Sequence, residues 1–285
     1  MPSFFLEPDR AEPHIPASVL AVVAFGFSTS AFLIGIQPWS KTPRGAWDIP
    51  ADAITRCSIG SPHVLLTYRA LLFCYCLGLG VSQTVTRGVW VFAYYTMWCW
   101  WALVAYFGLA TLASLRAVGQ ERSPLRGATL DRLGYTVVVL FHLILTTTAM
   151  VDVFTWGLLV PMLAANPDPV KVAHAHEMFY NFFSYNTHGA NSLFAIGELL
   201  LNSIPFVPHL MGYVGFWTSA FGIWAFSVFR VTGMWLYPFL DASRPWAPFA
   251  YAGIYAASWV LFGLVALQFR ARAWLFRHRR ALKHD

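Results

Sequence analysis

The chain has 285 residues, 58% of them hydrophobic and only 11% charged, with a mean hydropathy of +0.55. Soluble domains carry roughly a quarter charged residues, so this composition excludes a soluble globular protein and predicts an all-α, polytopic transmembrane bundle forming one domain. The net charge of +6 is no footprint for nucleic acid, because the basic residues fall in loops and in the C-terminal region, where membrane topology accounts for them.

In chain order, residues 1–16 (MPSFFLEPDRAEPHIP) are acidic and proline-containing. They lack the basic start of a cleaved leader, which predicts an extracytosolic segment ahead of a retained first span. Seven apolar runs then meet the length of about 20 residues that a bilayer demands: 17–37, 64–85, 89–115, 134–163, 179–204, 211–229 and 249–269. Together they predict a bundle of about seven spans over residues 17–269, followed by a basic tail at 270–285. The loops 38–63 and 116–133 and that tail hold thirteen of the 19 lysines and arginines, against five on the opposite side. This bias predicts an extracellular or lumenal N-terminus and a cytosolic C-terminus in the plasma membrane or an endomembrane. Cys57, Cys74, Cys76 and Cys99 lack metal-site spacing, and the HAHE run at His174–Glu177 has no further ligands beside it, so neither a disulfide framework nor a metal site is expected.

The fifth run is the unusual one. Asn181, Ser184, Tyr185, His188, Asn191, Ser192, Glu198 and Asn202 recur at three- and four-residue steps, with Ala195 filling the gap. On a continuous helix they share one face, which makes this the helix the others are expected to surround. Such a stripe is either interhelical hydrogen-bonding glue or a wet functional face. Depth favours a site. At 1.5 Å per residue, Thr96 lies roughly 10 Å, His188 roughly 14 Å and Asp152 roughly 16 Å below the same surface. Histidine titrates in the range needed to activate a hydroxyl. Against this, helix threonines commonly bond the carbonyl four residues back, here that of Phe92. Asp152 either orients His188 or serves as a structural donor. Arg69, near a membrane boundary, is expected to snorkel, and His142 to be a satisfied packing residue. Glu198 and Asn202, four apart, are positioned to pair.

Three motifs bear a resemblance: YYTMW around Thr96, HGANS at His188–Ser192 followed by Glu198, and VTGMWLYPFLD at 231–241. Over residues 94–264 the chain resembles the androgen-induced gene / rolling-stone family of multi-pass membrane proteins, closer to the rolling-stone branch. The androgen-induced members are intramembrane threonine hydrolases of fatty acid esters of hydroxy fatty acids. The resemblance implies Thr96 as nucleophile and His188 as its base. It also implies a membrane lipid or long-chain ester as substrate, and no cofactor. Where those enzymes carry HxxHT, this chain has one histidine, His188, with Asn191 and Ser192 following it. Asn191 or Ser192 is then expected to help the developing oxyanion, Asp152 to support the site, and Tyr95, Trp98, Trp156, Trp235 and Tyr237 to wall the pocket. Two other readings stay open on sequence: a non-catalytic rolling-stone-like protein acting in cell fusion, and a proton-coupled transporter built on Asp152, His142, His188 and Glu198. A retinal protein is excluded, since Lys41, Lys171 and Lys283 all lie outside the spans.

Overall fold

A computed structural model describes residues 15–36, 49–119 and 130–281, and among them every regular element is helical. The basic positions Arg10, Lys41, Arg44, Arg122, Arg126 and Lys283 lie outside the described residues, as does residue 37 at the end of the first predicted span. Ten α-helical pieces follow in order: α1 Ala17–Gly35, α2 Pro62–Arg87, α3 Tyr95–Gly119, α4 Arg132–Phe154, α5 Val160–Ala164, α6 Pro169–Phe179, α7 Phe182–Tyr185, α8 Asn191–Leu201, α9 Met211–Thr232 and α10 Ala247–Ala281. A π turn, Thr155–Leu159, joins α4 to α5 into one long rod, and a second, Asn186–Ala190, joins α7 to α8. Local chemistry sets many of the ends. Pro62 begins α2, where its missing N–H costs nothing. Asp131 caps α4 by accepting from the Gly134 amide at 2.7 Å, and Asp168 caps α6 through the Val170 amide at 2.9 Å, each satisfying an orphan first-turn donor.

Among the described residues six helices are long and apolar enough to cross a membrane, so this is an integral membrane protein. The expected seventh, 179–204, is present but is not one uniform helix. It is broken at its start by α6 and α7 and inside by the second π turn, where His188 leaves helical geometry with φ −129° and ψ 28°. The bundle's centre also lies elsewhere than expected. The Arg132–Ala164 rod has 67% of its apolar window buried, against 22–50% for the other five spans, and α4 packs on α3, α8, α9 and α10. A stripe of polar residues is therefore no guide to which helix is central, because burial follows the apolar girth of a helix rather than its polar face.

Two more expectations change. The HAHE run, which falls between the predicted spans 134–163 and 179–204, sits on helix α6, with His176 stacked on Tyr180 at 4.5 Å. The region after 269 does not leave the bundle at once. Helix α10 continues to Ala281, and Arg272 donates to the carbonyls of Leu199 at 3.1 Å and Ile204 at 2.6 Å, groups left open where α8 ends.

Helices α1 and α9 meet through small residues. A Cβ added at Gly212 would lie 3.1 Å from the Ser30 carbonyl oxygen, and one at Gly215 would run into the Ser30 hydroxyl and lie 3.0 Å from Trp259 Nε1. Close backbone approach of this kind is how membrane helices gain packing without a hydrophobic driving force. Gly215→Val is expected to cost roughly 1–3 kcal/mol through overpacking, read as a lowered unfolding temperature in detergent. Gly263→Ala, where nothing lies within 4 Å of the added carbon, is expected to leave it unchanged or raise it. Equal stability of the two variants would refute the close contact.

Candidate active site

The 3₁₀ turn Val89–Ala93 and the extended Tyr94 (φ −94°, ψ 139°) bring the chain into α3, so Thr96 is the second residue of that helix. This start decides what the Thr96 hydroxyl can do. Inside α4, Thr146, Thr147 and Thr148 bond the carbonyls four residues back at 2.7–2.9 Å. Thr96 does not, because the backbone before it is not α-helical and the Phe92 carbonyl accepts instead from Trp98 Nε1 at 2.9 Å. The Thr96 hydroxyl lies 3.1 Å from His188 Nε2.

The imidazole is held from behind. His188 Nδ1 is 3.1 Å from the Ser184 carbonyl and 3.0 Å from the Ser184 hydroxyl. A carbonyl only accepts, so Nδ1 carries the proton and Nε2 presents its lone pair to Thr96. The arrangement has the logic of a nucleophile, a base and an orienting third group, with a backbone carbonyl as the third. The break at His188 makes this possible. A π turn leaves backbone carbonyls without their usual partners, and such turns recur at functional sites. Here Trp156, itself in the π turn after α4, donates its indole N–H to the His188 carbonyl and stacks on Tyr185 at 6.2 Å.

Thr96 and His188 line a cavity of about 250 Å³ whose wall is mostly apolar and aromatic. Tyr95 and Tyr237 are in that wall; Trp98, Trp156 and Trp235 are not. Trp98 is turned toward Trp217, Phe221 and Trp224, and Trp235 stacks on Phe229 at 4.0 Å, nearly parallel. The motif at 231–241 explains its own sequence. Gly233, at φ 69°, ends α9 in the left-handed region that only glycine enters without strain. The chain then folds back so that Tyr237's hydroxyl accepts from the Tyr95 amide at 3.1 Å. Asp241 closes the turn, accepting from the Ser243 amide at 3.0 Å and from Arg244 Nε at 2.9 Å.

The other expected supports sit elsewhere. Asp152 does not orient His188; its carboxylate accepts from the Ser192 hydroxyl at 2.5 Å. Ser192's donor is thereby used, and neither Asn191 nor Ser192 lines the cavity, so the oxyanion role expected for them does not fit. Arg69 does not snorkel. It is fully buried and donates to Glu198 Oε1 through Nε at 3.0 Å and Nη2 at 2.5 Å. Tyr106 and Asn202 donate to the same oxygen at 2.8 and 3.0 Å. His142 is satisfied on both sides: Nε2 accepts from the Val207 amide at 3.0 Å, which leaves Nδ1 to donate to the Val138 carbonyl at 2.9 Å. The four ionisable groups named for a transporter therefore bond into four separate neighbourhoods.

Sequence reasoning missed several lining residues, chiefly Gln83 and Arg87 of α2 and Thr218 and Ser219 of α9. An amide and a guanidinium four residues apart at the end of an apolar run were the available signal for the first pair.

No family model, curated protein or solved structure matches the chain. Fold and site together define an all-α, multi-pass integral membrane protein with a threonine–histidine pair facing an apolar cavity.

Proposed function

We propose that this protein is an intramembrane hydrolase of lipid esters, with fatty acid esters of hydroxy fatty acids as its substrates, and that it belongs with the androgen-induced gene / rolling-stone group. The observation that carries the reading is the 3.1 Å approach of the Thr96 hydroxyl to a lone-pair-bearing His188 Nε2 beside a cavity lined largely by apolar side chains. His188 takes the Thr96 proton as Oγ1 attacks the ester carbonyl. It returns that proton to the departing alkoxide, leaving an acyl-threonine. A water molecule, deprotonated by the same imidazole, then releases the fatty acid and restores Thr96. The apolar wall suits a long acyl chain arriving from the bilayer, and the chemistry draws on no cofactor. The charge bias of the loops supports a lumenal or extracellular N-terminus and a cytosolic C-terminus.

The test is turnover. Purified protein in detergent, given a long-chain fatty acid ester of a hydroxy fatty acid, is expected to release both acids, and a fluorophosphonate probe is expected to modify the peptide containing Thr96. Neither release nor labelling would defeat the reading and favour a non-catalytic role in cell fusion.

A further inference from the structure

With Asn191 and Ser192 turned away, the developing oxyanion needs another donor, and α2 carries one. Gln83 is only 5% exposed, lines the same cavity as Thr96 and His188, and its amide nitrogen has no hydrogen-bond partner among the described residues. A buried polar group left unpaired costs free energy unless something completes it. Its level in the bundle follows from the hairpin of α2 and α3. A Cβ at Gly80 would touch Trp100 Nε1 at 3.1 Å and Trp101 at 3.3 Å, and Trp100 Nε1 donates to the Cys76 carbonyl at 3.0 Å. The two helices run in opposite directions, so three residues on from Gly80 is level with about three residues back from Trp100. That sets Gln83 at about the level of Thr96 and Met97, which line the same cavity. A backbone donor stands at the same level. Of the first amides of α3, that of Tyr95 goes to Tyr237 and those of Met97 and Trp98 go to the Tyr94 carbonyl, whereas that of Thr96 makes no hydrogen bond among the described residues.

We infer that Gln83 Nε2, together with the Thr96 amide, forms the oxyanion hole of this site, so that Gln83 is a catalytic residue. The inference rests on the hydrolase reading and adds the group that receives the negative charge. When Thr96 Oγ1 bonds to the carbonyl carbon, the carbonyl π electrons move onto oxygen. The two N–H groups hold that oxygen until the electrons return and the alkoxide leaves. Donors of this kind act on the tetrahedral state more than on bound substrate.

The test uses full-length Gln83→Met, which keeps the side chain's length without the donor, and Gln83→Leu, which is shorter and equally without a donor. Each is compared with wild type for kcat and KM. Each is also titrated with a long-chain trifluoromethyl ketone, which Thr96 converts to an anionic adduct, and with the matching long-chain secondary alcohol, which forms none. For each variant kcat is expected to fall by about 10²–10³-fold with KM nearly unchanged, which is the loss typical of one oxyanion donor. Ketone affinity is expected to fall by a similar factor while alcohol affinity holds. Should Gln83→Met not fold, Gln83→Leu carries the test alone. Unchanged kcat, or equal weakening of ketone and alcohol, overturns the role of Gln83 while leaving the hydrolase standing. Wild-type protein that neither hydrolyses ester nor forms a ketone adduct on Thr96 removes both.

Discussion

Ester turnover by Thr96→Ala protein is expected to fall by at least about 10³-fold, the scale seen when a nucleophile that works as a unit with its base is removed. The expectation follows from the start of α3. The Phe92 carbonyl is occupied by Trp98, so the threonine hydroxyl has no structural bond to make within its own helix, and its replacement leaves packing nearly intact. His188→Ala is expected to cost a similar factor, because without the imidazole the hydroxyl keeps its proton. The double variant is expected to be no worse than either single one, since the two groups contribute to the same step. Thr96→Ser retains the nucleophile and is expected to retain measurable turnover. The measurement is steady-state hydrolysis, with the unfolding temperature of each variant in detergent as the control. Additive losses, or full activity in Thr96→Ala, would rule out a joint role for the pair.

The second large effect concerns stability. Glu198→Ala leaves the Arg69 guanidinium fully buried without its counter-charge, retaining among the described residues the Ser114 hydroxyl at 2.7 Å and the Ala110 carbonyl at 3.4 Å. Breaking a buried pair from one side costs about 3–5 kcal/mol, and the tyrosine and asparagine that share Glu198 lose their acceptor as well. Replacing both partners by apolar residues of similar size, Arg69→Met with Glu198→Leu, is expected to recover most of that loss, because neither desolvated charge remains. The check is a double-mutant cycle on unfolding free energy in detergent, with a large coupling expected. A Glu198→Ala variant as stable as wild type would mean that the arginine has another way to water.

Much of the architecture was legible in the chain. Apolar runs of spanning length announce α1, α2, α3, α4, α9 and α10, because a bilayer leaves the backbone no alternative to helix. Depth from a common surface supported the pairing of Thr96 with His188 that the resemblance implied, since rise per residue converts sequence distance directly into height. Direction around the helix was harder. Periodicity assumes a constant turn, so nothing in the stripe from Asn181 to Asn202 revealed that the helix widens at Asn186–Ala190. Hence the choice for Asp152 between orienting His188 and a structural role stayed open, and its partner proves to be Ser192. Arg69 was misjudged for a related reason. Snorkelling is the default for a lone arginine, and its carboxylate lies more than a hundred positions away in the chain. Gln83 drew no notice because a single amide in an apolar run looks like filler until its nitrogen is seen to be unpaired.

The π turn that carries His188 also divides one rod into two instruments. In an unbroken α-helix a residue and its fellows ten and fourteen places on lie within about 80° of one another. The extra residue in this turn swings everything beyond it by about 100°. The upper half therefore aims Ser184 and His188 at the cavity, while the lower half delivers Glu198 to the guanidinium of α2, with Asn202 donating to the same carboxylate oxygen. Chemistry and anchorage sit on the same strand of sequence yet answer to different neighbours. Substitutions near the Thr96–His188 pair are accordingly expected to leave the clamp below intact, and a rebuilt clamp is expected to leave the imidazole in place.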